Sequence, residues 1–114
     1  MDTSVCVPEM QASVQLGALG LSTVGPGWSY QQHCHSGFEL LHCLEGDVIE
    51  WTHGEPIAFS RGNWLLIGPG VRHSTINETK EPFAFLSVHF DLVDAEIRDE
   101  LKGIHYILLR EGGA

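Results

Sequence analysis

The amino-acid sequence predicts an all-β fold, a small antiparallel barrel or sandwich followed by one short helix. Apolar and β-branched segments recur about every ten residues, which is the spacing of short strands in such folds. The 13 glycines and 5 prolines are spread between these segments as turns and are not pooled in a linker. A chain of 114 residues has room for one domain and not for two, so we expect a single domain over residues 1–114.

The first three strands are predicted from their β-branched content and from the turns that divide them. Residues 13–24 alternate in part between apolar and other side chains, and a Gly-Pro-Gly turn at residues 25–27 ends that strand. Residues 28–35 form the next candidate strand. Residues 38–44 are apolar on both faces, which predicts a strand that is buried on both sides.

The later strands are separated by glycine-containing turns. Residues 48–51 and 56–59 are predicted to form a hairpin about the Thr-His-Gly-Glu segment at residues 52–55. Further strands are expected over residues 64–67, 72–77 and 82–91. The predicted core of the fold therefore spans residues 13–91.

The last part of the chain is predicted to change from strand to helix. Asp94 is a suitable N-cap for a helix over residues 95–102, in which Ile97 and Leu101 lie one turn apart. Gly103 would end the helix. The segment that follows is apolar, and we expect this helix and tail, residues 94–110, to include a surface that contacts a partner.

The charge balance limits the classes of partner. The chain has 6 Lys and Arg against 15 Asp and Glu, a net charge of −9, and its basic residues are scattered, so we expect no nucleic acid contact by this chain itself. No apolar run approaches the ~20 residues of a membrane span, and the first four residues lack the start of a signal peptide. The 3 cysteines fit no zinc or redox spacing, which is typical of a reducing cytoplasm, and we expect a cytoplasmic protein.

Histidine is the unusual residue of this sequence, with 7 in the chain. His33 and His35 are two residues apart in a predicted strand, so their side chains should project from the same face. Glu39 opens the next strand, and His73 follows a Gly-Pro-Gly turn. Imidazoles combined with one carboxylate suit a divalent transition metal (Fe, Mn, Ni, Zn or Cu) and not Ca²⁺ or Mg²⁺.

These residues stand in two spaced patterns. The first is Gly27, five residues, His33-x-His35, three residues, Glu39, six residues and Gly46. The second is Gly62, seven residues, Gly70, two residues, His73, three residues and Asn77. The two patterns resemble the two motifs of the cupin superfamily, with one departure: Gly68 stands where the second motif usually has proline, and the proline follows it at residue 69.

The resemblance to cupins implies a small antiparallel β-barrel or jelly roll. Its metal-binding motif positions correspond to His33, His35, Glu39 and His73 in this chain. Three imidazoles and a carboxylate would leave one or two coordination positions for a substrate or O2. Some cupins keep remnants of these residues without a metal and bind a sugar or another small molecule, which is the alternative for this site.

Three segments are similar to one particular group of cupins. Residues 33–46, 62–73 and 87–91 resemble the N-terminal effector-sensing domain, arabinose-binding-like, of AraC-type transcription regulators. This resemblance implies a domain that binds a small-molecule effector and forms a homodimer, with DNA bound by a C-terminal pair of helix-turn-helix motifs. Nothing after residue 91 has the length or charge for such motifs, so we expect the DNA-binding domain to be absent from this chain.

Two functions therefore remain open at this point. The main interpretation is an effector-binding and dimerisation domain of an AraC-type regulator, which would bind its ligand without turning it over. The alternative is a stand-alone, metal-dependent cupin enzyme of the dioxygenase or sugar isomerase type. The length of the native reading frame beyond residue 114 would separate the two.

Several residues outside the metal motif are candidates for contact with the bound molecule. Tyr30 precedes the histidines of the first motif, and Cys43 has the same strand parity as Glu39, so both could line a pocket. The ring of Trp64 could stack on the bound molecule, and His89 lies in an alternating strand that could face the cavity. Asn77 could hydrogen-bond His73 and orient it. The candidates are Tyr30, Cys43, Trp64, Asn77 and His89. The other histidines have ordinary explanations, His42 because its strand position faces away from Glu39. We see no pair of carboxylates arranged for chemistry.

Overall fold

The computed structural model describes residues 14–110. The expected first residue of the first strand, Ser13, and the N-terminal residues examined for a signal peptide lie outside this range. The described elements are β1 (Val14–Val24), β2 (Ser29–His33), β3 (Phe38–Glu45), β4 (Asp47–Thr52), β5 (Glu55–Ser60), β6 (Trp64–Ile67), β7 (His73–Ile76), β8 (Phe83–Leu92), α1 (Ala95–Leu101) and β9 (Tyr106–Leu109). The all-β prediction with one short helix is confirmed.

The strands form two antiparallel sheets. The larger sheet has the order β1-β8-β3-β6-β9, and the smaller has the order β2-β7-β4-β5. The predicted hairpin is the β4–β5 pair, which runs in register from Asp47 opposite Ser60 to Thr52 opposite Glu55. Its turn places His53 and Gly54 at φ of 51° and 78°, the left-handed backbone that a tight hairpin needs.

The interior changes from apolar to polar along the strands. On β3 the inward side chains run from Cys43 through Leu41 to Glu39, all buried. On β8 they run from Phe83 to His89, which is opposite Glu39. The apolar end holds the core, whose largest fully buried apolar side chains are Phe59, Leu65 and Ile67. The apolar end supplies the stability of the fold, so the polar end can hold a functional site.

The helix starts as predicted. Asp94 caps it, and its carboxylate accepts hydrogen bonds from the backbone N–H groups of Glu96 and Ile97. Arg98 on this helix donates to Asp91 and to the carbonyl of Ser36, which ties the helix to the loop between β2 and β3. No helix in residues 14–110 is long and apolar enough to cross a membrane.

Two predictions differ from the structure by more than one residue at the end of an element. Strand β2 ends at His33 and not at residue 35, so His35 lies in the loop before β3. The apolar tail forms β9, which pairs with β6 in its own sheet and packs Tyr106 and Leu108 against the core. Half of the apolar side chains of β9 therefore face inward and stabilise the fold of this chain, so they do not form a surface for a partner.

Candidate metal centre

The four residues of the predicted metal motif come together at the polar end of the interior. His33 ends β2, His35 follows in the loop, Glu39 is on β3 and His73 opens β7. Each offers one ligand atom, and these atoms all lie within 4.8 Å of one another. Antiparallel pairing explains the convergence, because His33 is directly opposite His73 in the β2–β7 ladder.

The donor atoms at this cluster face one another without hydrogen bonds. Oε1 of Glu39 is 3.2 Å from Nε2 of His73 and 3.8 Å from Nε2 of His35. Although close, these three buried atoms have no hydrogen-bond partner. Buried polar atoms are nearly always paired, so this needs an explanation. Two donors on one ion with bonds of ~2.0–2.2 Å lie about 3–4 Å apart, so the donor set fits a transition metal.

Two of the imidazoles have a hydrogen-bond partner at Nδ1, the ring nitrogen that would not bind the metal. Nδ1 of His33 is 2.9 Å from the carbonyl of Gln31, and Nδ1 of His73 is 3.2 Å from a carboxylate oxygen of Glu50. An Nδ1–H that donates to these oxygens leaves Nε2 with its lone pair, which is the form that binds a metal.

Burial keeps the groups of the cluster neutral in the metal-free protein. Burial lowers the pKa of His73 to about 4, and burial together with the neighbouring histidines lowers the pKa of His35 to about 4. Burial, with the nearby Glu50, raises the pKa of Glu39 to about 7. Between about pH 4 and pH 7 the Glu39–His73 approach therefore joins two neutral groups and is not an ion pair. A bound cation would favour the ionised form of Glu39 and so lower its pKa.

A second buried carboxylate, which is absent from the candidate residues predicted above, lies next to the cluster. Glu50 is on β4, is 1% exposed, and accepts a hydrogen bond from the hydroxyl of Thr75. Burial raises its pKa to about 8. The expectation that no two carboxylates are arranged together is wrong, because β4 pairs with β7 and brings Glu50 to the same interior as Glu39. The sequence does carry one sign of this group, because Glu50 is an acidic residue at an inward position of an otherwise largely apolar strand.

The cluster opens into a cavity of about 280 Å³. Its wall is part aromatic and part hydroxyl-bearing: Trp28, Tyr30 and Phe85 contribute rings, and Ser22, Thr75 and Ser87 contribute hydroxyls. A larger and more superficial depression of about 510 Å³ shares His35 and His89 with it. The donor cluster can thus be reached from the surface.

Two of the five candidate contact residues line this cavity. Nε2 of His89 lies 2.9 Å from Oε2 of Glu39, the oxygen that does not face His73. Tyr30 is half exposed at the mouth, and its ring centroid is 4.5 Å from that of His33. Strict alternation would put Tyr30 and His33 on opposite faces. A register shift between them places both on the inner side.

The other three candidates lie elsewhere. Cys43 is fully buried in the apolar core, where burial raises the pKa of its thiol to about 11. Trp64 stacks on His42, with ring centroids 3.8 Å apart, on the outer face of the larger sheet. Cys43 does share the inward face with Glu39, as its strand parity predicts, but it lies at the apolar end. The pairing of β3 with β6 directs Trp64 outward, away from the cavity.

Asn77 is buried, but its side chain forms hydrogen bonds within a turn and does not orient His73. Its amide nitrogen donates to the carbonyl of Glu81 at 2.8 Å, and its amide oxygen accepts from the backbone N–H and the hydroxyl of Thr79. The expected contact with His73 is therefore replaced: the Nδ1 of His73 faces Glu50 instead.

The family follows from the two motifs together with this fold. The family model described as "Cupin domain" matches residues 20–89, well over half of the chain. The chain belongs to the cupin family. No curated protein matches its sequence.

Solved structures with a similar fold include named enzymes. A variant of salicylate 1,2-dioxygenase from Pseudoaminobacter salicylatoxidans is 25% identical with a TM-score of 0.60, and the match covers 81% of this chain and 26% of that one. A predicted oxalate decarboxylase from Thermotoga maritima is 25% identical with a TM-score of 0.64, and the match covers 69% of each chain. This chain thus spans about a quarter of the length of the dioxygenase.

Proposed function

We propose that this protein is a metal-dependent cupin that holds one divalent transition metal through His33, His35, Glu39 and His73. The observation that carries the proposal is the set of three buried donor atoms, on His35, Glu39 and His73, that face one another without hydrogen bonds. Three neutral imidazoles and one carboxylate fit Fe, Mn, Ni, Zn or Cu. When bound, the metal would supply Lewis acidity and, if redox-active, a site for O2 chemistry.

The cavity favours a small, partly planar ligand with oxygen donors. Trp28, Tyr30 and Phe85 offer flat apolar surfaces, and the serine and threonine hydroxyls offer weak polar contacts. Within residues 14–110, the lining residues include no lysine or arginine. An anionic group on the ligand would therefore have to be met by the metal, because the protein wall already carries two carboxyl groups.

The enzyme interpretation has the stronger support. The solved structures with this fold include a dioxygenase and a predicted decarboxylase, whose named substrates, salicylate and oxalate, are small organic acids. We propose that the chain acts on a molecule of this class. The donor cluster beside a cavity of suitable size is the feature that such chemistry requires.

The second candidate is the effector-binding domain of an AraC-type regulator. It is favoured by the similarity of residues 33–46, 62–73 and 87–91 to that group of cupins. In this case the same cavity would bind a small effector, such as a sugar, without turnover. Effector binding would shift the population of two arrangements of the domain, and a DNA-binding domain outside this chain would respond.

The test begins with metal. We expect the protein purified without a His-tag to take up close to one equivalent of Fe²⁺, Mn²⁺, Co²⁺ or Zn²⁺ after metal depletion, as measured by elemental analysis. His33→Ala should lose this uptake, and His105→Ala, which removes an exposed histidine far from the cluster in sequence, should retain it. Uptake below a tenth of an equivalent by the wild type would overturn the metal proposal.

Turnover then separates the two functions. The Fe²⁺ and Mn²⁺ forms would be assayed for O2 consumption with salicylate and for CO2 release with oxalate. Turnover that disappears in His33→Ala supports the enzyme. Binding of a panel sugar or acid, measured by calorimetry, without any turnover favours the regulator domain and rejects the enzyme interpretation.

A further inference from the structure

The buried carboxyl group of Glu50 makes two specific contacts, and neither is with a proposed metal ligand atom. One oxygen accepts a hydrogen bond from the hydroxyl of Thr75, and the other lies 3.2 Å from Nδ1 of His73. Glu50 is 1% exposed and Thr75 is 8% exposed, so both side chains are largely withdrawn from bulk solvent. A buried carboxyl group costs free energy unless it is hydrogen-bonded, which makes its presence here informative.

The pairing of β4 with β7 fixes this arrangement. Glu50 on β4 is directly opposite Thr75 on β7, and His73 is the neighbouring inward residue of β7. The rigid ladder therefore holds the carboxyl group against the imidazole on the side away from Glu39. Nε2 of His73 is left facing Oε1 of Glu39, and both atoms are buried without a hydrogen bond.

We propose that Glu50 and Thr75 position His73 for metal binding, with Thr75 orienting the carboxyl group and Glu50 holding the imidazole as its Nδ1–H tautomer. The proposal rests on the proposed metal site. Outer hydrogen bonds of this kind are typically worth about 10–100-fold in metal affinity. Neither residue is itself a ligand.

The test compares metal affinity with the stability of the metal-free protein. We expect Glu50→Leu to weaken binding of Co²⁺, measured by calorimetry against a competing chelator, about 10–100-fold. The same change leaves the Thr75 hydroxyl and Nδ1 of His73 without a partner, so the thermal stability of the metal-free protein should fall as well. A merely structural role would lower the stability and leave the affinity of the folded protein unchanged.

The threonines supply matched controls. Thr75→Val should weaken Co²⁺ binding, and Thr75→Ser, which keeps the hydroxyl, should restore it. Thr52→Val changes another buried threonine of the same sheet whose hydroxyl has no hydrogen-bond partner, and it should bind Co²⁺ like the wild type. Equal affinities of the Thr75→Val, Glu50→Leu and wild-type proteins would overturn the positioning role.

A measurement on the metal-free protein keeps the two proposals distinguishable. Nitrogen-15 spectra report the tautomer of each neutral histidine. At a pH above the pKa of Glu50, where its carboxylate can only accept hydrogen bonds, we expect the Nδ1–H form of His73 in the wild type and a loss of that preference in Glu50→Leu. A wild-type protein that takes up no Co²⁺ would reject the metal site, and the spectra would still decide the tautomer. A predominant Nε2–H form of His73 in the wild type would overturn the positioning proposal.

Discussion

At the scale of single residues, the presence or absence of hydrogen-bond partners separates two buried motif residues, Asn77 and Glu39. Asn77 and Glu39 are 1% and 5% exposed, and both are motif residues. The amide of Asn77 is saturated with hydrogen bonds, whereas Oε1 of Glu39 has none. A saturated buried group stabilises the fold, and an unsaturated one costs free energy unless something outside the protein completes it.

This difference predicts the effect of changing Asn77. We expect Asn77→Ala to lower the free energy of unfolding by about 1–3 kcal/mol, because it leaves the carbonyl of Glu81 and the N–H of Thr79 unpaired. Urea unfolding of the metal-free protein measures this loss. The affinity of the folded variant for Co²⁺ should match that of the wild type. A large fall in Co²⁺ affinity with normal stability would show that Asn77 supports the metal site after all.

At the scale of elements, the sequence predicts the strands and the metal motif better than it predicts how the strands pair. The resemblance of the two motifs to those of cupins implies that His33, His35, Glu39 and His73 meet, because the motifs of a family reflect a shared geometry. Glu50 could not be placed in this way, since its proximity to His73 depends on β4 lying beside β7. Pairing between distant strands is not encoded in local sequence periodicity.

Irregularities in the strands account for the other differences. Alternation in β2 fails at the register shift between Tyr30 and His33, and a bulge of this kind leaves no mark in the hydrophobic pattern. Trp64 is a pocket candidate by sequence because an aromatic ring can stack on a sugar or another flat ligand. It faces outward because it is directly opposite His42, whose outward direction the alternation of β3 did predict.

The loop between His35 and Glu39 depends on a close approach of two backbones. A Cβ on Gly37 would lie 2.7 Å from the carbonyl oxygen of Phe90, closer than real contacts allow. We expect Gly37→Ala to push this loop away from β8, to reduce the stability by about 1–3 kcal/mol and to weaken Co²⁺ binding. Thermal unfolding and calorimetry check the two effects.

Gly25 provides the control for this loop. It lies in the turn after β1, and a Cβ there would contact nothing within 4 Å. Gly25→Ala should leave both the unfolding temperature and the Co²⁺ affinity close to those of the wild type. If Gly37→Ala were equally harmless, the loop would have room to move and would not fix the positions of His35 and Glu39.

At the scale of the whole molecule, one end of the interior is a hydrophobic core and the other is a set of neutralised ionisable groups. The inward sequence of each central strand passes from apolar to ionisable side chains, so the core and the site share the same strands. The raised pKa values of Glu39 and Glu50 mean that the metal-free fold favours their protonated forms. The stability of the whole domain therefore depends on whether these carboxyl groups are protonated or are compensated by a cation.

The pH dependence without metal has a definite sign above pH 6.5. The pKa values of Glu39 and Glu50 are raised in the folded state, to about 7 and about 8, so their contribution to stability is present below pH 4.5 and is lost as the pH rises through these values. The lowered pKa values of His35 and His73 affect stability only as the pH falls below 6.5. We expect the unfolding temperature of the metal-free protein to fall from pH 6.5 to pH 8.5, as followed by circular dichroism.

The stabilisation by bound metal should have the opposite pH dependence, because metal binding weakens as the pH falls. A cation binds the ionised form of Glu39, whereas His35 and His73 are already neutral at pH 5–8 because their pKa values are about 4. The Co²⁺ affinity should therefore fall about tenfold for each pH unit below 7, a slope of one proton per metal. Glu39→Gln should bind Co²⁺ more weakly and with a flatter pH profile. A wild-type slope of two or three protons per metal would mean that ordinary histidines near pKa 6.5 control binding, and that burial does not hold them neutral.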